Sequence, residues 1–198
     1  MMMPDRCCHA QVLIRPLLGD DTQALYEAAR ESIESVGRWL PWCNSGYSLA
    51  DAVNWVNACR HGWQAGSAFA YGIFDADSGR LLGGTAINQF NRMHRYANLG
   101  YWVRTSAAGQ GVGAVAAWQL AAAAFEHQRL ARIEILAQPG NLPSRRLALR
   151  IGARFEGVAR ARLNIGGRPH DAVVYGLTPA DLATPAQPRQ RSVAGPGG

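Results

Sequence analysis

Three glycines at alternate positions, Gly109, Gly111 and Gly113, stand between a strand-like segment and an alanine-rich helical segment. Glycine lets the backbone approach a ligand closely, and the N–H groups of a first helical turn have no partner within the helix. The helix dipole adds about half a positive charge there, so the loop suits a pyrophosphate. A tight strand-to-helix turn that binds nothing is the alternative interpretation.

The types of basic residue exclude several classes of enzyme. All 20 are arginine, and the 198-residue chain contains no lysine. A Schiff-base lysine, a lysine-dependent transaminase and a Walker-type phosphate loop are therefore excluded. A Rossmann unit is disfavoured because the glycine loop follows an antiparallel meander. The formal net charge of +6 indicates an anionic ligand or an acidic partner, with genomic base composition as the alternative cause of the arginine bias.

The four cysteines, Cys7, Cys8, Cys43 and Cys59, form no CxxC pair and no zinc or disulfide spacing, so we expect free thiols and no bound metal. Polar residues near the N-terminus leave no room for a secretory apolar segment, and no apolar run approaches the roughly 20 residues of a membrane span. We therefore expect a cytoplasmic protein that does not enter a membrane.

The elements that must position the glycine loop follow from hydrophobic spacing. Strands are predicted at 10–16, 68–74, 81–90, 96–103, 132–137, 155–164 and 171–177, and helices at 20–36, 48–62, 112–124 and 142–151. Consecutive strands predict an antiparallel meander, and a strand, glycine loop, helix and strand in succession predict a parallel crossover. The fold class is α/β (α+β), with a mixed, mostly antiparallel sheet of about seven strands flanked by about four helices.

The composition, 48% hydrophobic and 17% charged, indicates a chain that folds over most of its length. We predict a single domain over 10–182, a flexible N-terminus over 1–9 and a disordered tail rich in Pro and Gly over 183–198.

The order of these motifs resembles the GNAT N-acetyltransferases, whose acetyl-CoA loop has the pattern Q/R-x-x-G-x-G/A. Here the loop runs from Ala108 to Gly113, with both small positions matched and Ala108 in place of the leading Gln or Arg. Further matches are similar to the RimJ/RimL-type branch, which acetylates N-termini of ribosomal proteins. They are Leu99–Val103, Asn141-x-x-Ser144, Gly152–Phe155, Trp39-x-Pro41-Trp42 and Asp171–Tyr175, and the resemblance covers about Val12 to Leu177.

The resemblance implies the GNAT fold and an acetyl-CoA site. The implied cofactor residues are Tyr101, Trp102, Val103, Gly109, Gln110, Gly111, Val112, Gly113, Ala114, Asn141, Ser144 and Arg146. It implies that the strand from Tyr101 to Val103 parts from the next one, so that free backbone groups hold pantetheine and polarise the thioester carbonyl. It also implies that Ser144 gives a proton to the leaving thiolate. The alternative is that Asn141 only caps the fourth helix.

The base and the acceptor wall are less defined. Relatives often carry Glu at the position of Asn98, and an amide cannot accept a proton at neutral pH. Glu134 is therefore another candidate for the catalytic base, although it could equally be an ordinary carboxylate that is paired or solvated. Water is a further candidate. The resemblance places Trp39, Trp42 and Tyr47 in the acceptor wall, with core packing as the alternative.

Seven arginines between Arg145 and Arg168 accompany one acid, Glu156. Those on the predicted fourth helix, Arg146 among them, fall near where relatives hold the 3′-phosphate of the cofactor. A solvated basic face is the alternative.

Two classes of function remain. The first is an acetyl-CoA-dependent N-acetyltransferase that transfers acetyl directly to a primary amine. The expected acceptor is a protein or peptide N-terminus, and a polyamine, an aminoglycoside or another antibiotic is the alternative. The second is a non-catalytic GNAT-fold module that binds CoA or RNA, although a nucleotide cofactor explains the charge better than nucleic acid does. The oligomeric state stays open, with a homodimer as one alternative because that branch often pairs.

Overall fold

The computed structural model describes residues 2–182, in which eight strands form one mixed sheet with four helices on its faces. The strands are β1 (Cys7–His9), β2 (Val12–Arg15), β3 (Phe69–Asp75), β4 (Leu81–Asn91), β5 (Tyr96–Val103), β6 (Arg132–Ala137), β7 (Arg154–Ile165) and β8 (Arg168–Leu177). The helices are α1 (Thr22–Glu31), α2 (Leu49–Ala65), α3 (Val112–Gln128) and α4 (Leu142–Arg150).

The sheet order is β1-β2-β3-β4-β5-β6-β8-β7, and within the described chain only β5 and β6 run parallel. The predicted meander of β3, β4 and β5 is confirmed, and so is the parallel crossover through α3. The fold class is therefore as predicted, although the sheet has eight strands in residues 2–182 and not about seven.

The additional strand is β1, which lies at the end of the segment 1–9 that the sequence predicts to be flexible. Ala10 and Gln11 have positive φ values of 48° and 62°, as in the tight turns that join hairpin strands, so β1 folds back antiparallel onto β2. The predicted strand at 10–16 shortens to β2 for the same reason. Non-glycine residues rarely adopt this conformation, which is why the sequence does not reveal the turn.

α1 ends at Glu31, five residues before the predicted end near Val36. The Ser32 hydroxyl donates a hydrogen bond to the Ala28 carbonyl at 2.7 Å, and the backbone continues as successive turns. These turns include Trp39 of the aromatic segment and connect α1 to α2.

α2 begins at the predicted capping box, in which the Ser48 hydroxyl accepts from the Asp51 N–H and the Asp51 carboxylate accepts from the Ser48 N–H. It ends at Ala65, beyond the predicted end, where Gly66 adopts the left-handed conformation that commonly terminates helices.

The helices divide between the two faces of the sheet. On one face α3 packs against a core that includes Ile14, Tyr71 and Leu99. On the other face α1 and α2 enclose a second core around Leu25 and Phe74. Because side chains alternate along a strand, the odd-numbered residues of β5 face α3 and the even-numbered ones face α1 and α2. The two faces therefore offer different chemistry along one strand.

Among residues 2–182, no helix is both long enough and apolar enough to span a membrane. The predicted tail, 183–198, lies outside the described residues. The division of the chain into one domain stays a prediction.

Candidate active site

A cleft opens where β5 and β6 part. Their parallel pairing covers Tyr96 to Asn98 against Arg132 to Glu134 and ends there. Beyond it, β5 stays paired with β4 as far as Val103, so the opposite edge of Leu99–Val103 has no strand partner within residues 2–182. This edge lines a cleft of about 1070 Å³. Its backbone N–H and C=O groups are available to a ligand.

The glycine loop forms one end of this cleft. Gly109 and Gly111 have positive φ values of 75° and 86°, and Gly111 is the N-cap of α3. A Cβ on Gly113 would lie 2.9 Å from Val103 Cγ2 and 3.0 Å from Leu147 Cδ1. Glycine at this position therefore lets the start of α3 pack closely against β5 and α4.

The loop residues that line the cleft are Ala108, Gly109, Gly111, Val112, Gly113 and Ala114. Gln110 is the predicted cofactor residue that the structure leaves out of the cleft lining. Its side-chain amide donates instead to the Ser106 carbonyl at 2.8 Å, a contact within the segment that contains the glycine loop.

Two hydroxyl groups meet beside the free edge of β5. The Tyr101 hydroxyl lies 3.0 Å from the Ser144 carbonyl oxygen and 3.2 Å from Ser144 Oγ. Burial raises the pKa of Tyr101 well above its usual range, so the phenol stays protonated at neutral pH. Asn141 Oδ1 accepts from the Ser144 N–H at 3.2 Å and caps α4, and both residues also line the cleft. Capping and a cofactor contact are thus compatible.

The Tyr101 side chain is a feature that the sequence reasoning missed, because the resemblance assigned that residue through its backbone. A signal was present. Tyr101 has the same parity as Ala97 and Leu99 on a half-buried strand, which places its side chain on the α3 and α4 face.

Asn98 lines the cleft on the α1 and α2 face. Its amide nitrogen donates to Asn88 Oδ1 on the neighbouring strand at 3.0 Å. Both side chains are neutral amides, so this part of the cleft offers hydrogen bonds but no proton acceptor at neutral pH.

Glu134 is opposite Asn98 in the β5–β6 register but is not among the residues that line the cleft. Its carboxylate lies 3.2 Å from the Arg132 guanidinium and 3.9 Å from that of Arg162. The structure therefore corresponds to the paired-carboxylate alternative, and a catalytic role for Glu134 stays a prediction.

Of the three aromatic residues predicted to form the acceptor wall, only one lines the cleft. Trp39 lines the cleft, whereas Trp42 packs against Trp102 and Tyr47, with ring centroids 5.4 and 5.5 Å apart. Tyr47 belongs to the core under α2, and burial raises its pKa to about 12. Trp55 of α2, which the sequence reasoning did not select, also lines the cleft, together with Trp39 and Trp102.

The charges around the cleft have one sign. Arg146 and Arg150 of α4 and Arg162 of β7 line it, and no Asp or Glu of residues 2–182 does. Arg145 instead donates to the Tyr175 hydroxyl at 3.2 Å and the Pro139 carbonyl at 2.9 Å. No group of three or more His, Cys, Asp or Glu side chains in the described chain is arranged to hold a metal ion.

Comparison with known proteins identifies the family. A family model described as "Acetyltransferase (GNAT) domain" matches residues 11–154. The chain therefore belongs to the GNAT acetyltransferases, as the motifs predict, and is an acetyltransferase of that type. Among relatives, it is 31% identical over 173 residues to the Bacillus subtilis protein named "Putative ribosomal N-acetyltransferase YdaF", covering 84% of this chain and 90% of that one.

Solved structures of other proteins have the same fold. A protein described as a "putative ribosomal-protein-serine acetyltransferase from Vibrio cholerae" superposes with a TM-score of 0.81 at 31% identity, over 90% of this chain and 100% of that one. RimJ of Mycobacterium smegmatis, described in complex with a CoA disulfide, has the same fold, with a TM-score of 0.79 at 23% identity over 92% of this chain and 90% of that one. The fold of the protein is thus RimJ/RimL-like.

Proposed function

We propose that this protein transfers the acetyl group of acetyl-CoA to the α-amine of a protein or peptide N-terminus. The names of the similar proteins support this class of acceptor, and the chemistry of the cleft supports it independently. The observation that carries the proposal is a cleft with a free strand edge, a glycine loop and three arginines, but no carboxylate among its described lining residues.

The cleft fits acetyl-CoA, which supplies an activated acetyl thioester when it is bound. Gly109, Gly111 and the first turn of α3 offer backbone N–H groups to a pyrophosphate. Arg146 and Arg150 on the facing helix provide positive charge for phosphate oxygens. The free edge of β5 would bind an extended amide-containing arm, since such an arm carries alternating N–H and C=O groups.

Ser144 and Tyr101 are the proposed proton donors to the departing thiolate. Their oxygen atoms lie 3.2 Å apart, which allows a proton lost from Ser144 Oγ to be replaced from the phenol. The raised pKa of Tyr101 keeps that phenol protonated under neutral conditions. The two hydroxyl groups therefore act together in the proposal.

The acceptor must reach the thioester as a neutral amine. Asn98 cannot remove a proton, and no lining carboxylate among residues 2–182 is available to do so. An α-amino group has a pKa of about 7.7 to 8.0, whereas that of a lysine-type amine is about 10.4. A useful fraction of N-termini is therefore neutral near pH 7.5 without an enzyme base, with bulk water taking the proton.

The same observation weighs against polyamines and aminoglycosides. These acceptors carry several positive charges, which the arginines of the cleft repel and no lining carboxylate of the described chain balances. A non-catalytic CoA-binding role is the remaining alternative. Location in the cytoplasm and assembly as a homodimer stay predictions.

The test is thiol release from acetyl-CoA with a matched set of acceptors. We expect release with a peptide that has a free N-terminal serine, and none with the same peptide blocked at its N-terminus but carrying an internal lysine. Spermidine and an aminoglycoside complete the set. CoA binding without release from any acceptor would establish the non-catalytic role, and release only with the small amines would overturn the peptide assignment.

A further inference from the structure

A bulge in β7 places new side chains at the acceptor side of the cleft. The register pairs Ala159 with Ala172 and then Leu163 with His170, so β7 has two more residues than β8 between these pairs. Bulges of this kind redirect side chains and often occur beside active sites. Here the redirected residues that line the cleft are Arg162, Leu163 and Asn164.

The bulge has its own support. Ala161 lies within it at a φ of +52°, a conformation that costs an alanine free energy and therefore requires compensation. Its N–H donates to Asp171 Oδ1 on β8 at 2.9 Å. Asp171 thus holds the bulge in place and fixes the position of the Arg162 backbone, which follows Ala161.

Arg162 lies on the α1 and α2 face, on the same side of the sheet as Asn98, because it approaches Glu134, the residue opposite Asn98 in the register. The other two arginines of the cleft belong to α4, on the opposite face. Arg162 is therefore the lining charge on the acceptor side within residues 2–182.

The pairing of Arg162 with Glu134 is incomplete. The two side chains are 3.9 Å apart at their nearest nitrogen and oxygen, and Glu134 is closer to Arg132, at 3.2 Å. The Arg162 side chain is 42% exposed. Arg162 lines the cleft, whereas Glu134 does not. A guanidinium has five N–H donors in a planar fork, so most remain available to a carboxylate that enters the cleft.

We infer that Arg162 is a specificity residue that selects acceptors with a carboxylate close to the reacting amine, namely acidic N-termini with Asp or Glu in the second or third position. The inference rests on the proposed function and narrows its acceptor class. Asp171 is the positioning residue, since it holds the bulge without facing the acceptor.

The experiment compares three peptides that differ only at their second residue, Ser-Asp, Ser-Asn and Ser-Lys, with wild-type protein, Arg162→Gln and Arg160→Gln. Arg160 is the matched control because it is an exposed arginine of the same strand that does not line the cleft. We expect the wild type to show a KM for the Asp peptide about three- to fivefold below that for the Asn peptide, as one partly exposed ion pair allows. Arg162→Gln abolishes the preference, and Arg160→Gln keeps it.

A second pair of variants tests the bulge. Asp171→Ala removes the acceptor of the Ala161 N–H and should reduce the preference for the Asp peptide while Arg162 is still present. Asp171→Asn retains a side-chain oxygen at that place and should restore the preference. A merely structural role for Asp171 would lower thermal stability without changing the ratio of the two KM values.

The dissociation constants of the same peptides for the CoA-loaded protein are measured in parallel, by calorimetry. They decide the inference even where turnover is absent. Equal affinity of wild type for the Asp and Asn peptides, failure to bind any peptide, or a preference that survives Arg162→Gln would overturn it. Thiol release with all three peptides at equal KM would overturn the inference and leave the proposed function intact. An absence of release from every acceptor would overturn the proposed function, and the binding ratios would still report on Arg162.

Discussion

Ser144 contacts two neighbouring side chains, one through its backbone N–H and one through its hydroxyl group. The Asn141 side chain accepts from its backbone N–H, and the Tyr101 hydroxyl lies 3.2 Å from its Oγ. The first contact concerns the start of α4, and the second concerns proton transfer. Because the backbone contact does not involve the hydroxyl, removing that hydroxyl separates structure from chemistry.

Ser144→Ala is expected to lower kcat by about 100-fold, the lower range for loss of general acid catalysis, with little change in acetyl-CoA affinity. Alanine retains the N–H that Asn141 accepts and favours helix, so the fold is kept. Steady-state kinetics with a peptide acceptor measures the effect. Tyr101→Phe should lower kcat in the same direction, and the double variant should be little worse than Ser144→Ala if the hydroxyls act as one unit. Unchanged turnover in Ser144→Ala would eliminate its role.

Residue spacing made part of this site predictable. Asn141 and Ser144 are three apart at a helix start, a separation that a capping contact requires, and the glycine loop is read directly from its pattern. The position of Arg162 could not be read in this way. It depends on a bulge whose positive φ falls on an alanine, a residue type with no preference for that conformation.

At the scale of elements, α3, β5 and α4 meet at Gly113. A Cβ there would come within 2.9 Å of Val103 and 3.0 Å of Leu147, which both line the cleft and pack against the core. The approach of these three elements sets how the glycine loop faces the free edge of β5.

Gly113→Ala is therefore expected to lower the free energy of unfolding by about 1 to 3 kcal/mol through overpacking, and to weaken acetyl-CoA binding because α3 and the glycine loop move away from β5. Calorimetric titration with CoA measures the affinity, and urea unfolding measures the stability. Gly19→Ala is the control, because a Cβ at Gly19 meets no atom within 4 Å and its φ is not positive. Wild-type affinity in Gly113→Ala would contradict the account of this contact.

The end of α1 is tied to the segment that precedes the glycine loop. Glu31 Oε1 accepts from the Ser106 N–H at 2.6 Å, and the Glu31 carboxylate pairs with the Arg104 guanidinium. The hydrogen bond from Arg104 is the largest cause that lowers the pKa of Glu31 to about 2, against 4.5 for a free side chain. A depressed pKa means that this contact stabilises the fold above pH 4.5 and is lost as the pH falls toward 2.

Glu31→Gln should accordingly reduce the free energy of unfolding by about 1 kcal/mol near pH 7, a modest figure because the carboxylate is partly exposed. The difference between variant and wild type should shrink below pH 4.5, as wild-type Glu31 takes up its proton. Urea unfolding at a series of pH values checks both statements. Glu27→Gln, on the exposed side of the same helix, should match the wild type throughout. A difference that does not depend on pH would argue against the ionised contact.

The elements were largely predictable, and the exceptions have local causes. Long strands with strong alternation, such as β5 and β6, agree with their predicted bounds, and α2 begins at its capping box. β1 was missed because its turn uses Ala10 and Gln11 at positive φ. The parting of β5 from β6 came from family resemblance, because pairing that ends partway along two strands leaves no pattern in either one.

At the scale of the whole molecule, the net charge of +6 is not spread evenly. Several arginines are engaged in structure, as Arg15 is with Asp21 at 2.6 Å and Arg154 with Asp181 at 2.6 Å. Arg146 makes no ion pair with a carboxylate of residues 2–182, and it lines the cleft beside the glycine loop. Part of the excess charge therefore lies at the cleft, where an anionic cofactor would meet it.

This distribution predicts how CoA affinity responds to the 3′-phosphate and to salt. Wild-type protein should bind CoA about three- to tenfold more tightly than 3′-dephospho-CoA at low ionic strength, and the advantage should fall as salt screens the contact. Arg146→Gln should lose most of the difference and most of its salt dependence. Arg168→Gln, an exposed arginine next to the β7–β8 turn and outside the cleft, should retain both. Equal losses in the two variants would mean that the overall basic charge, and not the arginine at the cleft, attracts the cofactor.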